Sequence, residues 1–398
     1  MRTITTQLFP TSSGEFAFKS LRSLWPRNTT NHKDLAMTKL KEIINNPNIL
    51  ITSSGRSSIA TLLESLKIGS GDEVILQSFT CSVVASSILS TGATPVYADI
   101  NPDTLNISPE SLRKTISPRT KIVIFQHTFG SNEDLSRIAN ICRSKDILLL
   151  EDKAHILGNG KLVGDMAIGS FGRSKWLSSI IGGFIETKEE NLLSSCQLIE
   201  DGKQLINYPK LELLLLNPSI VEFLIKPSLG QFKIGEVLME LLSWIGILTH
   251  EVEDKEKEGK LGRISRIKFP LPLYELLNSE LSKFEDNKKL RNNAVNTYLK
   301  KLNPKLIFKG FTKTFPYLYF PLKVEDPQSL YLHAKKHKIY LGNWYYPAIS
   351  PPGSNYLNLK YDPTKCPNAE QVSPHIVNLP TFANEKEVQR VVEVINNY

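Results

Sequence analysis

From residue 48 onwards the apolar residues fall into short runs separated by polar, glycine-bearing turns. Residues 48–52, 73–76, 94–99, 121–126 (KIVIFQ) and 147–150 (ILLL) read as strands. The last two are almost uninterruptedly apolar, as expected of strands buried on both faces of a parallel sheet. Residues 58–66, 82–90 and 132–145 carry apolar positions at helical spacing. This alternation predicts an α/β architecture, a large mostly parallel sheet flanked by helices with right-handed crossovers. Ligands of such sheets collect at the carboxyl ends of the strands.

The pattern changes after Thr187. Residues 189–260 read as mostly helical, with dense leucines at 211–216 (LELLLL) broken by Pro218 and Pro227. Core or interface packing explains that density better than a membrane-surface helix, because no basic face opposes the apolar one. The mixed-charge run 251–260 predicts a solvated connection. A long amphipathic helix and strand-like pieces at 315–322 and 339–342 then predict a smaller α+β domain. The division is an N-terminal arm with one helix (1–40), a large domain (41–260) and a small domain (261–398), without internal repeats.

The length of 398 residues accommodates that division, and 41% hydrophobic with 22% charged residues excludes a collagen-like or disordered chain. Forty-eight basic against forty acidic residues leave a net charge of +8, compatible with an anionic substrate. The basic residues are dispersed without an aromatic-basic motif, so no nucleic-acid partner is expected. Cys81, Cys142, Cys196 and Cys366 lie far apart, which argues against a disulfide scaffold or a cysteine zinc site, and no metal is expected. The first thirty residues lack an apolar signal region and no uncharged apolar stretch reaches about 18 residues. The expectation is a cytoplasmic protein with no membrane contact.

Three segments can carry chemistry. Ser54-Gly55-Arg56-Ser57-Ser58 follows a strand and opens a helix, so it is either a serine N-cap or a cradle whose backbone N–H groups face an anion. Glu151-Asp152-Lys153-Ala154-His155 follows the buried strand ILLL. There a carboxylate can hold the proton of a cationic ring nitrogen, or simply cap a helix. Ser170-Phe171-Gly172-Arg173-Ser174-Lys175-Trp176 precedes Gly182-Gly183-Phe184-Ile185, but spacing alone does not single out Lys175 as a nucleophile.

In this order and spacing the segments resemble the DegT–DnrJ–StrS family of nucleotide-sugar aminotransferases, which have the type I fold of pyridoxal phosphate (PLP) enzymes. The resemblance extends through Gly71-Asp72-Glu73-Val74-Ile75, Gly92-Ala93-Thr94-Pro95-Val96, Asp99 and His127-Thr128-Phe129-Gly130. It weakens in the leucine-rich middle and resumes at 280–291 and in Cys366-Pro367-Asn368-Ala369-Glu370 and Asn378-Leu379-Pro380. It implies that Lys175 forms the Schiff base with PLP and that Asp152 faces the pyridine nitrogen. It places His155 near the phenolic oxygen, Ser170 on the phosphate, and Gly55, Arg56 and Ser57 in the phosphate cradle. Cys81 stands where many members set an aromatic ring over the cofactor.

The implied activity is transfer of an amino group from an amino acid, usually glutamate, to a nucleotide-linked keto sugar, as in surface polysaccharide synthesis, by a homodimer. Family dehydratases carry histidine in place of the lysine, so Lys175 speaks against that branch. Cys81, Trp176 and Ile181 depart from the family's usual residues, and the Asn-x-Arg segment offered from the partner subunit falls at Ile264-Ser265-Arg266 without its asparagine. The alternatives are a PLP protein of the same fold with another reaction, such as sugar dehydration, and a binding or regulatory protein that has lost turnover. His127 fits a structural hydrogen bond in its turn, Lys153 is expected to point away from the ring, and Trp344, Tyr345 and Tyr346 suit either a substrate pocket or small-domain core.

Overall fold

A computed structural model describes residues 3–25, 30–158 and 160–398. Seven strands make the main sheet: β1 (Ile49–Thr52), β2 (Glu73–Gln77), β3 (Thr94–Ala98), β4 (Thr120–Gln126), β5 (Leu148–Asp152), β6 (Met166–Ser170) and β7 (Gly183–Thr187). Their spatial order is β1-β7-β6-β5-β4-β2-β3. All neighbours run parallel except β7, which is antiparallel to both β1 and β6. Every residue of β1, β2 and β7 is buried, because helices cover both faces; hence the continuous apolar runs. The expected type I fold with a mostly parallel sheet is what the chain forms.

The register sets the site. Gln126 of β4 lies opposite Asp152 of β5, which lies opposite Ile168 of β6. The carboxyl ends of these strands therefore open side by side, next to the N-terminus of α1 (Gly55–Ser65) and beside α2 (Ser82–Leu89).

The later elements differ from expectation in several places. The strand expected at 315–322 is β8 (Tyr319–Lys323), antiparallel to β9 (Ile376–Pro380), and helices Phe284–Lys301, Pro327–Lys336 and Glu385–Asn396 accompany this pair. The short strand Ile339–Tyr340 pairs in parallel with Ile4–Thr5, so the first residues are stitched into the fold rather than forming a separate arm. That region also holds two helices instead of one, Gly14–Arg22 and Thr30–Ile44.

The leucine-rich segment serves two purposes. In helix Tyr208–Ile220, Leu211, Leu214 and Leu215 are buried, and the helix packs on Gly14–Arg22. Pro218 offers no N–H to its ladder, and a π turn at Val221–Ile225 follows. Helix Ile234–Trp244 turns Ile234, Val237, Leu241 and Trp244 outward, Trp244 being 84% exposed. Among the described residues no helix is long and apolar enough to cross a membrane.

Candidate functional site

A cavity of about 300 Å³ lies at the strand ends, lined by Gln126, Asp152, Ile168 and Ser170 from the sheet, by Ser54, Gly55 and Arg56 of α1, and by Cys81. Lys175, His155, Trp344 and Tyr345 close it. Five of the residues expected at the site thus meet there without reservation: Gly55, Cys81, Asp152, Ser170 and Lys175.

Lys175 sits on a turn tied down on both sides. The carbonyl of Ser174 accepts from the Tyr319 hydroxyl at 3.1 Å, and the Ser174 hydroxyl donates to the Gln7 carbonyl at 2.8 Å. The Trp176 carbonyl accepts from Arg291 Nη2 at 3.0 Å. Arg291 is 1% exposed and also donates to the Leu318 carbonyl at 2.9 Å and to Thr381 Oγ1 at 2.6 Å. The lysine backbone is therefore fixed while its amine reaches the cavity, 4.8 Å from the centre of the Trp344 ring. Trp176 itself points into the core, with its indole N–H on the Pro316 carbonyl at 3.0 Å and its ring against Phe284.

Alternation along β5 sends Asp152 to the cavity and Glu151 to the opposite face. Asp152 Oδ1 accepts from the Ala154 N–H at 2.9 Å. Burial pushes the Asp152 carboxyl upward, against the pull of Ala154 N–H, Lys175 and His127. A cationic group in the cavity would favour its charged form. Behind the sheet, Glu151 Oε2 meets His127 Nε2 at 2.8 Å, and its Oε1 accepts from the N–H groups of Val163 and Gly164, both at 2.7 Å. Lys153 turns to Glu186 at 2.9 Å, away from the cavity.

The cup at the start of α1 requires its glycine. A Cβ at Gly55 would come within 3.2 Å of Ser170 Cβ and 3.3 Å of the Gly169 carbonyl, so only a bare backbone approaches β6 this closely. Ser170 Oγ accepts from Gly172 N–H at 3.3 Å, which leaves its own proton for a ligand. Ser57, expected in this cradle, is directed elsewhere. Its N–H bonds to the Ser54 N-cap hydroxyl at 3.1 Å, and its hydroxyl lies among Lys203 Nζ (2.6 Å), Glu200 and the Ser265 carbonyl.

Arg56 lines the cavity, but its guanidinium is engaged by the chain that follows the leucine-rich segment. It pairs with Glu256, whose side chain is fully buried, and donates to the Glu251 carbonyl at 2.6 Å. Arg173 Nη2 donates to Thr249 Oγ1 at 2.8 Å. Residues 249–257 thereby form a strap over the cup, with His250, Glu251, Val252 and Lys257 in its lining. A Cβ at Gly172 would lie 3.3 Å from Glu251 Oε1, so that carboxylate hangs beside the Ser170–Gly172 turn. The mixed-charge run is thus no solvated connection. It contains helix Asp254–Lys257, capped by a reciprocal Glu253–Glu256 box. The segment Ile264–Ser265–Arg266 packs against its own chain: the Ile264 carbonyl accepts from Ser53 Oγ at 2.6 Å and that of Ser265 from Ser57 Oγ at 3.2 Å.

His155 is held within the protein. Its Nδ1 accepts from Phe129 N–H and its Nε2 meets the Tyr345 hydroxyl, each at 3.1 Å. Burial keeps the imidazole well below its ordinary pKa, and Lys175 and His127 act in the same sense. Burial also pushes the Cys81 thiol up, so it stays neutral. Arg173, His250, Glu251 and Lys257 were not singled out from sequence; for Arg173 the only signal was its place two residues before Lys175.

The sheet order, the antiparallel β7 and the lysine turn over the strand ends are those of the type I fold. Residues 16–204 match the sequence model of the DegT/DnrJ/EryC1/StrS aminotransferase family. That stretch carries Gly55, Asp152, Ser170 and Lys175, and the match agrees with the resemblance seen in the residue pattern. The structure of NtdA from Bacillus subtilis with bound cofactor PMP is similar at a TM-score of 0.71 and 18% identity, over 100% of this chain and 86% of that one. PseC of Helicobacter pylori, an aminotransferase involved in pseudoaminic acid biosynthesis, gives 0.71 and 19%, over 100% and 99%. The GDP-4-keto-6-deoxymannose-3-dehydratase ColD, with bound GDP-perosamine, gives 0.72 and 16%, over 99% and 100%. At these identities the likeness is one of fold. A pleiotropic regulatory protein of Geobacillus stearothermophilus is 36% identical over 153 residues, which are 37% of this chain and 41% of that relative's length.

Proposed function

We propose that the protein is a PLP-dependent aminotransferase that moves an amino group from an amino acid, glutamate in the first instance, to a nucleotide-linked keto sugar for a surface glycan. The observation that carries this is the placement of the Lys175 amine and the buried Asp152 carboxyl in one cavity beside a glycine-and-serine cup. The residues fit the cofactor: the bare backbone of Gly55 lets the N-terminus of α1 lie against Ser170, and Asp152 is buried with one oxygen bound and the other left for a cation.

Bound PLP supplies an electron sink for the carbon that loses its proton. Asp152 holds a proton on the ring nitrogen and so keeps that sink effective. Lys175 would hold the cofactor through its side-chain amine, and the same amine would carry the proton that the donor carbon gives up. Ser170 and the N-terminus of α1 hold the phosphate. Trp344, beside Lys175, is placed to cover the ring, a service the Cys81 thiol cannot render. A homodimer working in the cytoplasm, outside any membrane, completes the reading.

One observation favours a second reading: the relative over 153 residues bears a regulatory name. A protein that binds PLP without turnover would keep Lys175 and Asp152. The test is the visible absorbance of the purified protein with PLP, for wild type and Lys175→Ala, before and after glutamate. A band absent from the variant and bleached by glutamate in the wild type is expected. A band that no amino donor bleaches overturns transamination in favour of the regulatory reading, and no band at all overturns the cofactor.

A further inference from the structure

We propose that the Tyr345 hydroxyl, positioned by His155, is the group that donates a hydrogen bond to the phenolic oxygen of the bound cofactor. This rests on the PLP reading above and reassigns a contact that sequence position gave to His155.

The proton inventory leads there. Phe129 N–H points at His155 Nδ1 at 3.1 Å, so Nδ1 is the acceptor nitrogen and the ring proton sits on Nε2. Nε2–H then donates to Tyr345 Oη at 3.1 Å. With both nitrogens taken, the imidazole has nothing left for a ligand. It cannot flip or slide to make room either, because Phe129 stacks on it at 5.8 Å and 5°, Trp344 at 5.8 Å and 22°, and Tyr345 at 5.9 Å and 21°.

Tyr345 Oη accepts from His155, so its own O–H must donate elsewhere, and no acceptor for it exists among the described residues. Its residue lines the cavity with Asp152, Cys81, Lys175 and Glu251. The Phe79 edge, 5.3 Å from the ring centre, and the Ser373 hydroxyl, 2.8 Å from the Tyr345 carbonyl, fix the ring and its backbone. Burial raises the hydroxyl well above its ordinary pKa, and Cys81, Asp152, Tyr319 and Glu251 push the same way. It therefore remains a donor across the working pH range. A buried donor with a free proton, facing a cavity that would receive a ring with an oxygen beside its reactive carbon, calls for that oxygen. His155 is a positioning residue that acts through Tyr345.

The experiment is a pH titration of the visible absorbance of PLP-reconstituted wild type, Tyr345→Phe, His155→Phe and the double variant. A donor to the phenolic oxygen stabilises its anion and weakens its hold on the neighbouring nitrogen's proton. Its loss should raise the chromophore's pKa by about one to two units. Tyr345→Phe is expected to show this shift, His155→Phe a smaller one in the same direction, and the double variant no more than Tyr345→Phe alone. A shift in His155→Phe with an unmoved Tyr345→Phe would mean that histidine touches the cofactor directly, and overturns the proposal. Unmoved titrations in both overturn it too. Failure of the underlying PLP reading looks different, since the wild type would then bind no chromophore.

Discussion

Glu256→Gln tests whether residues 249–257 are a built part of the site. The Glu256 side chain is fully buried and that of Arg56 is 11% exposed, so the substitution keeps the shape of the pair and removes one of two opposed buried charges. Stranding a buried partner in this way costs about 3–5 kcal/mol. Glutamine still offers Arg56 an oxygen, which argues for the low end, about 3 kcal/mol, or roughly a hundredfold in the opening equilibrium of the strap. A chain of this size need not unfold in two states, so the reading must be local. Native-state hydrogen exchange of peptides spanning 249–257, with peptides from β4 and β5 as internal reference, supplies it. Exchange in the strap should rise about a hundredfold while the sheet stays protected. Replacing both partners by methionine should recover most of the protection, since an apolar pair of similar volume is tolerated where half an ion pair is not. The control is Lys255→Gln: its pair with Glu253 is 3.9 Å long and the lysine 41% exposed, so almost nothing should change. Strap exchange in Glu256→Gln within about threefold of wild type would refute the argument and return the segment to the status of a solvated connection.

Glu151 gives a pH prediction. Burial alone would raise its carboxyl, but the hydrogen bond and charge of His127, with Lys153 and the Gly164 N–H, hold it down at about 2. A depressed acid stabilises the fold above its unfolded pKa near 4.5 and loses that contribution as pH falls towards 2. Glu151→Gln should therefore be less stable than wild type by up to about 3 kcal/mol at pH 7 and should converge with it in acid; parallel melting curves from pH 7 to 3 would contradict this. Gly55→Ala reverses the usual helix preference: alanine normally gains about 1 kcal/mol over glycine, yet this Cβ would crowd Ser170 and the Gly169 carbonyl. The variant should bind PLP about tenfold more weakly without a rise in Tm, and unchanged PLP fluorescence titrations would show that the cup is wider than its contacts imply.

Much of the site was legible because its residues sit where strand ends and helix starts are punctuated by residue type. The run ILLL announced β5 and so placed Asp152; Ser54-Gly55 announced the start of α1. Asp99 and the closing Asn368-Ala369, far apart in sequence, prove to be one feature, for Asp99 accepts from the N–H groups of Asn368 and Ala369 at 2.9 and 3.0 Å. The strand β6 was harder to see. It has one β-branched residue and a glycine next to its end, and Gly169 is there because a Cβ would fall 2.0 Å from the Phe184 ring of β7. That demand comes from the neighbouring strand and leaves no trace in local propensity. The strap was misread for a related reason: a mixed-charge run is indistinguishable from a solvated one until the partner of Glu256, 200 residues away, is known. His155 was found by position, but its proton was not, since only the Phe129 N–H fixes which nitrogen carries it.

The departures from the family pattern divide by where they point, and this bears on whether chemistry was lost. Trp176 faces the core against Phe284, and its backbone, held by Arg291, keeps the Lys175 turn in place; it changes packing behind the lysine and nothing in front of it. Cys81 and Ile181 stand in the cavity wall with Glu251 of the strap, so they alter the shape and charge that a substrate meets. Lys175, Asp152, Ser170 and Gly55, which the proposed transfer requires, keep their side chains or bare backbone turned to the same space. A chain drifting away from catalysis would have no reason to keep a buried, desolvated carboxyl facing a lysine, because that pairing costs stability unless a ligand repays it. The pattern of retention therefore favours a working PLP site with a changed acceptor over an inert one.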